Sequence, residues 1–233
     1  MTTLGMFVKA PEPGRVKTRL AAVIGDANAA ELYRAFLTDL IERFRQTGDR
    51  RVLAYSPADD MTREFFRQLA GGDYDLWPQP DADLGTRMQT FFETFGPEPV
   101  VLIGSDSPTL PDESPAAAFE LLERTDVVLG PATDGGLYLI GLNQRRRTWP
   151  IFNRIDWSTS RVLQQVLQRL LQEHALVEVL PPWYDIDEPA DLDVLRGHLL
   201  AFRLSQGEHS SDSPATRAAL ELLPELDVLA GEG

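Results

Sequence analysis

Residues 4–20, Leu-Gly-Met-Phe-Val-Lys-Ala-Pro-Glu-Pro-Gly-Arg-Val-Lys-Thr-Arg-Leu, set an apolar run directly before a loop crowded with prolines and cations. Leu4 to Val8 has the length and composition of a buried strand, and Pro11, Pro13 and Gly14 then forbid an immediate helix. Lys9, Arg15, Lys17 and Arg19 fall within that turn or at its ends, and a helical pattern begins at Leu20. A strand, a glycine-containing loop and a helix start aim backbone N–H groups at an anion. Lys17 and Arg19, expected on an exposed loop and helix start, are the foremost phosphate contacts. The loop is not a Walker A motif, because two residues separate Gly14 from Lys17 and no second glycine is correctly placed.

Downstream, strand and helix patterns alternate. Asp26 to Gln46 carries Leu32, Phe36, Leu40 and Phe44 at four-residue spacing, which predicts a long amphipathic helix ending near Gly48. Arg51 to Ser56 reads as a strand, Pro57 to about Leu69 as a helix, and Gly71 to Pro78 as a turn and short strand. Met88, Phe91, Phe92 and Phe95 mark the buried face of the next helix, and an apolar strand from Val100 ends in Gly-Ser-Asp106. Two strand-like halves flank Asp134-Gly-Gly136; a helix from Arg161 to Glu173, a strand from Leu176 to Leu180 and a helix from Pro189 to about Arg203 follow. This alternation predicts an α/β fold with a mostly parallel, doubly wound sheet and helices on both faces. Residues 1–203 read as one domain. Residues 204–233 read as a polar linker with a short helical appendage from Pro214 to Leu223.

The formal charge of −14 argues against nucleic acid as a partner, so the Lys9–Arg19 cations stand out as a local anion site suited to a small phosphorylated ligand. No apolar run approaches the length of a membrane span and no signal-peptide pattern opens the chain, which makes the cytoplasm the default location. With no cysteine, any metal would be held by oxygen or imidazole, and the three histidines, His174, His198 and His209, read as solvated. Oxygen ligands point to Mg²⁺ or Mn²⁺.

Four later stretches could carry chemistry. In Gln79-Pro-Asp-Ala-Asp-Leu-Gly-Thr-Arg-Met88, Asp83 or Thr86 suits a helix cap. Asp106 stands at the end of an apolar strand, where open α/β sheets bind ligands, although an Asp there can also cap the following turn. Asp134-Gly-Gly136 suits either a hairpin turn or a close approach of backbone to a ligand. Asp185 and Asp187, at i and i+2, would project to one side of extended backbone and suit a divalent ion, while Pro189 fits a first helical position.

Together these blocks resemble the signatures of a bacterial family assigned as glycosyltransferases. That family is similar to the molybdenum-cofactor guanylyltransferases and the phospholactate guanylyltransferases, within the nucleotide-diphospho-sugar transferase superfamily, the GT-A fold. Phe7 to Leu20 looks like its opening block and Asp83-Leu-Gly-x-Arg-Met88 like the second. Gly104-x-Asp-x-Pro-x-Leu110, Pro131-x-x-Asp-Gly-Gly136, Trp157-Ser-Thr159 and Asp185-x-Asp-x-Pro-x-Asp-Leu192 match later ones, with Ser107 where cysteine is common. The resemblance spans residues 4–203. It implies nucleotide contacts from Lys9, Pro13, Gly14, Arg15, Lys17, Arg19, Gln79 and Gly85. Asp106, Asp185 and Asp187 would hold the metal. Asp134, Gly135, Gly136, Tyr138, Trp157, Ser158 and Thr159 would face the acceptor or sugar, and Lys17, Arg19, Asp106 and Asp134 would be the catalytic groups.

Two chemistries suit this apparatus, both joining a nucleotide or nucleotide-sugar donor to a small-molecule acceptor. The resemblance favours Mg²⁺-dependent glycosyl transfer, in which a nucleoside diphosphate leaves. The cation-rich loop, suited to a triphosphate, favours nucleotidyl transfer of guanylyl or cytidylyl type, with pyrophosphate leaving. Glycosyl transfer is placed first, nucleotidyl transfer second and a non-catalytic nucleotide-binding protein third.

Overall fold

Strand β1 (Thr3–Lys9), buried almost without interruption, is an interior strand of a seven-stranded sheet, paired along both edges. The computed structural model describes residues 1–145, 149–206 and 212–223. After β1 come α1 (Thr18–Ile24), α2 (Asp26–Arg43), β2 (Arg50–Ser56), α3 (Asp60–Ala70), β3 (Asp75–Pro78) and α4 (Leu84–Phe95). The chain continues through β4 (Val100–Ile103), α5 (Glu113–Leu122), β5 (Val127–Pro131), β6 (Leu137–Leu142), α6 (Val162–Gln172), β7 (Val177–Val179), α7 (Pro189–Gln206) and α8 (Pro214–Glu221). Helix α5 was not foreseen, since Ser114-Pro-Ala-Ala-Ala118 carries too few large apolar residues to display a helical period.

The strand order is β3-β2-β1-β4-β6-β5-β7. Pairings β1–β2, β1–β4, β2–β3 and β5–β7 are parallel, while β6 runs antiparallel to both β4 and β5. The sheet is therefore mostly parallel, as the alternation predicts, and Asp134-Gly-Gly136 is the turn that reverses the chain between β5 and β6. Helices α1, α2, α3, α5, α7 and α8 bury their apolar residues on one face. Helices α4 and α6, with Trp149, Ile151 and Phe152, cover the other. Asp83 caps α4 by accepting a hydrogen bond from the Thr86 amide at 2.8 Å, which is the expected N-cap geometry.

Helix α8 is docked rather than free. Its first amides, Ala215 and Thr216, donate to the Asp39 carboxylate on α2 at 3.0 and 2.7 Å. Arg43 forms an ion pair with Asp212, and Ser213 Oγ donates to the Pro108 carbonyl at 2.8 Å. His198, expected to be solvated, is instead half-buried against Phe202 and bonded through Nδ1 to the Tyr184 hydroxyl at 2.5 Å. Residue 209 and the final glycines lie outside the described residues. No helix among the described residues is long and apolar enough to cross a membrane.

Candidate active site

The carboxyl ends of β1 and β4 are adjacent, so the loop after β1 meets Ser105 and Asp106 after β4. The chain after β7 returns to the same edge: the Ile186 amide donates to the Asp106 carbonyl at 2.9 Å, and the Ile186 side chain is fully buried. That anchor sets Asp185 and Asp187 on either side of a fixed point. Asp191 holds the turn behind them, its carboxylate accepting from the amides of Asp187 and Glu188 at 2.9 and 2.7 Å.

Lys17 occupies the centre of this junction. Its backbone is left-handed, with φ 47° and ψ 42°, at the N-cap of α1. The ammonium forms ion pairs with Asp106 and with Asp187, and the side chain is only 3% exposed. Rings of Tyr33 and Phe36 lie 5.8 Å from Nζ. Burial pulls the ammonium pKa down, but the charges of Asp106 and Asp187 and their hydrogen bonds outweigh it, so the net shift is upward and Lys17 stays charged. The expectation of an exposed Lys17 is thus corrected. The left-handed turn sends the chain's cation inward, toward carboxylates that local sequence does not reveal.

The other loop cations behave differently. Lys9 Nζ donates to the Arg15 carbonyl at 2.7 Å and closes the loop on itself. Arg15 is exposed and paired with Glu12 at 3.3 Å, and Arg19 is exposed and paired with Glu188 at 3.3 Å. Such surface pairs contribute little to stability. Pro13 and Gly14 are exposed, with Gly14 at φ 75° shaping the turn.

Three hollows that share lining residues open at this edge. The first, about 390 Å³, is lined by Phe7, Lys9, Lys17, Ser56, Gln79 and Arg87 among others. The second, about 300 Å³, shares Phe7, Ser105 and Asp106 with the first and adds Asp134, Trp157 and Asp185. The third, about 490 Å³, joins Lys17 and Arg19 to Asp134, Ser158, Thr159 and Glu188. Asp106 stands where the first two meet.

Gln79 is buried. Its amide nitrogen donates to the Ala54 and Val8 carbonyls at 2.6 and 3.4 Å, and its oxygen accepts from Arg87 Nη1 at 3.3 Å. Gly85 does not border the first hollow. A Cβ there would stand 2.6 Å from Trp157 Nε1 and 2.7 Å from the Phe152 carbonyl, so packing against that loop accounts for the glycine. Asp134 turns its Oδ1 back onto the Gly136 amide at 2.7 Å and borders the second and third hollows. Gly135 has φ +90°, and a Cβ would lie 2.3 Å from the Ser160 carbonyl. The Tyr138 ring borders the second hollow while its hydroxyl donates to the Pro181 carbonyl at 2.9 Å. Ser158 is left-handed at φ 63°, and Thr159 Oγ1 donates to the Asp156 carbonyl at 2.7 Å.

Sequence reasoning missed Tyr33 and Arg87. The Tyr33 hydroxyl lies 2.7 Å from Ser105 Oγ and accepts from the Lys9 amide at 3.2 Å, tying α2 to both strand ends. Burial first, and then the charge of Asp106, push its pKa up to about 12. On α2 it is one apolar-face residue among several, so no local signal marks it. Arg87 was visible within the second family block but was not singled out.

The carboxylates supply hard oxygen atoms of the kind a divalent metal would take. Asp185 accepts from Ser107 Oγ at 2.7 Å, yet its pKa is pushed up to about 7, chiefly by burial and further by the charges of Asp106, Asp134 and Asp187. Among the described residues no group of three or more Asp, Glu or His side chains is arranged as a ready metal cage. Asp106 and Asp187 both pair with Lys17, and of the three carboxylates only Asp106 and Asp185 border the second hollow. Mg²⁺ on a nucleotide commonly takes only one or two carboxylates besides phosphate oxygens and water, and the hard-oxygen pair Asp106 and Asp185 fits that pattern.

Fold and cleft define a transferase of the nucleotide-diphospho-sugar transferase, or GT-A, class. A solved protein from Desulfovibrio desulfuricans G20, assigned as a nucleotide-diphospho-sugar transferase, superposes with a TM-score of 0.82 at 34% identity, covering 94% of this chain and 96% of that one. The chain belongs to the family described as "Uncharacterized protein conserved in bacteria (DUF2064)", whose model matches residues 40–159. It is also 33% identical over 190 residues to the 3-phospho-D-glycerate guanylyltransferase of Phenylobacterium zucineum (strain HLK1), covering 78% of this chain and 84% of the relative. The 2-phospho-L-lactate guanylyltransferase of Methanopyrus kandleri is 26% identical over 179 residues, covering 77% and 84%.

Proposed function

We propose that this transferase is a guanylyltransferase that joins GTP to a small phosphorylated acceptor. Glycosyl transfer, placed first on sequence grounds, yields to this alternative because the two named relatives are both guanylyltransferases. The observation that carries the reading is the charged, buried Lys17 beneath the junction where the first two hollows share Asp106.

In this reading the nucleoside fills the first hollow and the acceptor enters beside Asp134 and Trp157. An acceptor phosphate oxygen attacks the α-phosphorus; the bond from that phosphorus to the bridging oxygen breaks, and pyrophosphate leaves. Two of the three Lys17 donors hold Asp106 and Asp187, and the third remains for a phosphate oxygen. Placed before the reaction begins, that charge needs no reorganisation as negative charge shifts onto the leaving group. Arg19, in the third hollow, meets the acceptor phosphate. Asp106 and Asp185 would hold Mg²⁺, which neutralises phosphate oxygens when bound. The residues involved all precede residue 204, while α7 runs on to Gln206 and α8 packs against α2 outside the cleft.

The test is pyrophosphate release from GTP and Mg²⁺ with 3-phospho-D-glycerate or 2-phospho-L-lactate as acceptor. Release dependent on both substrates is expected. The 34% identical neighbour supports the sugar-transfer reading, and acceptor-dependent release of GDP from GDP-sugars, with no pyrophosphate from GTP, would establish that chemistry instead.

A further inference from the structure

We infer that Arg87 is the residue that selects guanine, by donating from its guanidinium to the O6 and N7 acceptors of the base. This rests on the nucleotidyltransferase reading of the cleft and names the group that sets its base preference.

Gln79, the residue that the family resemblance directs at the base, has little left to offer. Both observed contacts of its amide nitrogen are to strand carbonyls, and its oxygen already accepts from Arg87. Buried among these partners, it acts as a strut. Arg87 is aimed by two such contacts: Nε donates to the Ala82 carbonyl at 2.7 Å and Nη1 to Gln79 Oε1 at 3.3 Å. Nη2 makes no hydrogen bond to another described residue, and no carboxylate among them lies within ion-pair distance of the guanidinium, although the Asp83 carboxylate feels its charge. In a chain of net charge −14, a half-buried arginine lining a cavity without an ion pair is an oriented donor awaiting an acceptor.

The planar fork of a guanidinium matches two adjacent acceptors, and among the bases guanine alone presents the N7 and O6 pair. Adenine offers an amino donor beside N7, which would oppose Arg87. Uracil and cytosine lack N7. The partly buried Phe7 ring at the lining of the same hollow suits a purine face.

The experiment compares dissociation constants of GTP, inosine triphosphate, 7-deaza-GTP, ATP and CTP for the full-length wild type and for Arg87→Met, by calorimetry with Mg²⁺. For the wild type, GTP and inosine triphosphate, which share O6 and N7, are expected to bind similarly, with 7-deaza-GTP about ten-fold weaker. In Arg87→Met, GTP should weaken to the level of 7-deaza-GTP and the difference between them should vanish. Since the 7-deaza comparison changes only the ligand, it decides the matter in the wild type even if the variant folds poorly. Equal wild-type binding of GTP and 7-deaza-GTP, an undiminished difference in Arg87→Met, or a preference for CTP or ATP would overturn the assignment while leaving nucleotide transfer intact. Absence of binding by every triphosphate would instead remove the nucleotidyltransferase reading, and the role of Arg87 with it.

Discussion

The Lys17 ammonium lies 2.9 Å from Asp187 Oδ1 although 170 residues of chain separate the two. This pair ties the loop after β1 to the chain after β7, and it makes Lys17 a structural as well as a chemical group. Lys17→Met should therefore lower stability by about 1–2 kcal/mol, a modest figure because both carboxylate partners are close to half exposed and screened. At this chain length, that is a drop of a few degrees in Tm. Asp187→Asn added to Lys17→Met should restore part of it. Nucleotide-free thermal melting checks both, and a wild-type Tm in Lys17→Met would disprove the structural role.

The same pairing sets the sign for Asp106. An isolated acidic cluster would gain stability when one member is neutralised, but Asp106 is a partner of a buried cation. Asp106→Asn should lower the metal-free Tm, and an increase would show that repulsion dominates at the site.

Divalent metal should act through the nucleotide. GTP is expected to raise Tm more in Mg²⁺ than in EDTA, because Asp106 and Asp185 supply only part of a coordination shell that phosphate oxygens complete. Asp185→Asn should erase that difference while retaining the smaller metal-free shift. Identical GTP shifts with and without Mg²⁺ in the wild type would exclude this arrangement.

Gly135→Ala combines two penalties, a left-handed φ of +90° and a Cβ placed 2.3 Å from the Ser160 carbonyl. A control is Gly71→Ala, at φ +60° with nothing within 4 Å of the added carbon. Gly71→Ala should cost about 1 kcal/mol through conformation alone, and Gly135→Ala clearly more, about 2–4 kcal/mol with the clash included. The displaced turn should also raise KM for the acceptor. Equal melting temperatures for the two variants would mean that the Ser160 segment yields freely.

Asp39 caps α8 from a different helix, so Asp39→Ala should destabilise by about 1–2 kcal/mol. The affinity for GTP should stay unchanged, as neither Asp39 nor α8 lines the cleft. Truncation after Leu204 should give a similar loss of Tm with nucleotide binding retained. A truncated protein that melts like the full chain would show that the docked helix contributes nothing.

The opening strand and loop, the alternation of elements and the placement of Asp106, Asp185 and Asp187 at one sheet edge were all legible in the chain. They follow from short-range patterns: hydrophobic period, the stereochemistry of proline and glycine, and the rule that parallel strands share a carboxyl edge. Asp83 as a cap belongs to the same local class. The inward turn of Lys17, the link from Tyr33 to Ser105 and the docking of α8 on Asp39 were not legible, because each joins residues separated by 72 to 177 positions. Composition marks Lys17 as a loop cation, and only the folded arrangement of Asp106 and Asp187 makes burial of its charge favourable. Likewise, the family resemblance directs Gln79 at the base, while in the fold its amide nitrogen meets the Ala54 and Val8 carbonyls and its oxygen accepts from Arg87, whose Nη2 makes no hydrogen bond among the described residues. Local preference selects the elements and their order; which polar group remains available to a ligand depends on which partners the completed sheet has already supplied to the others.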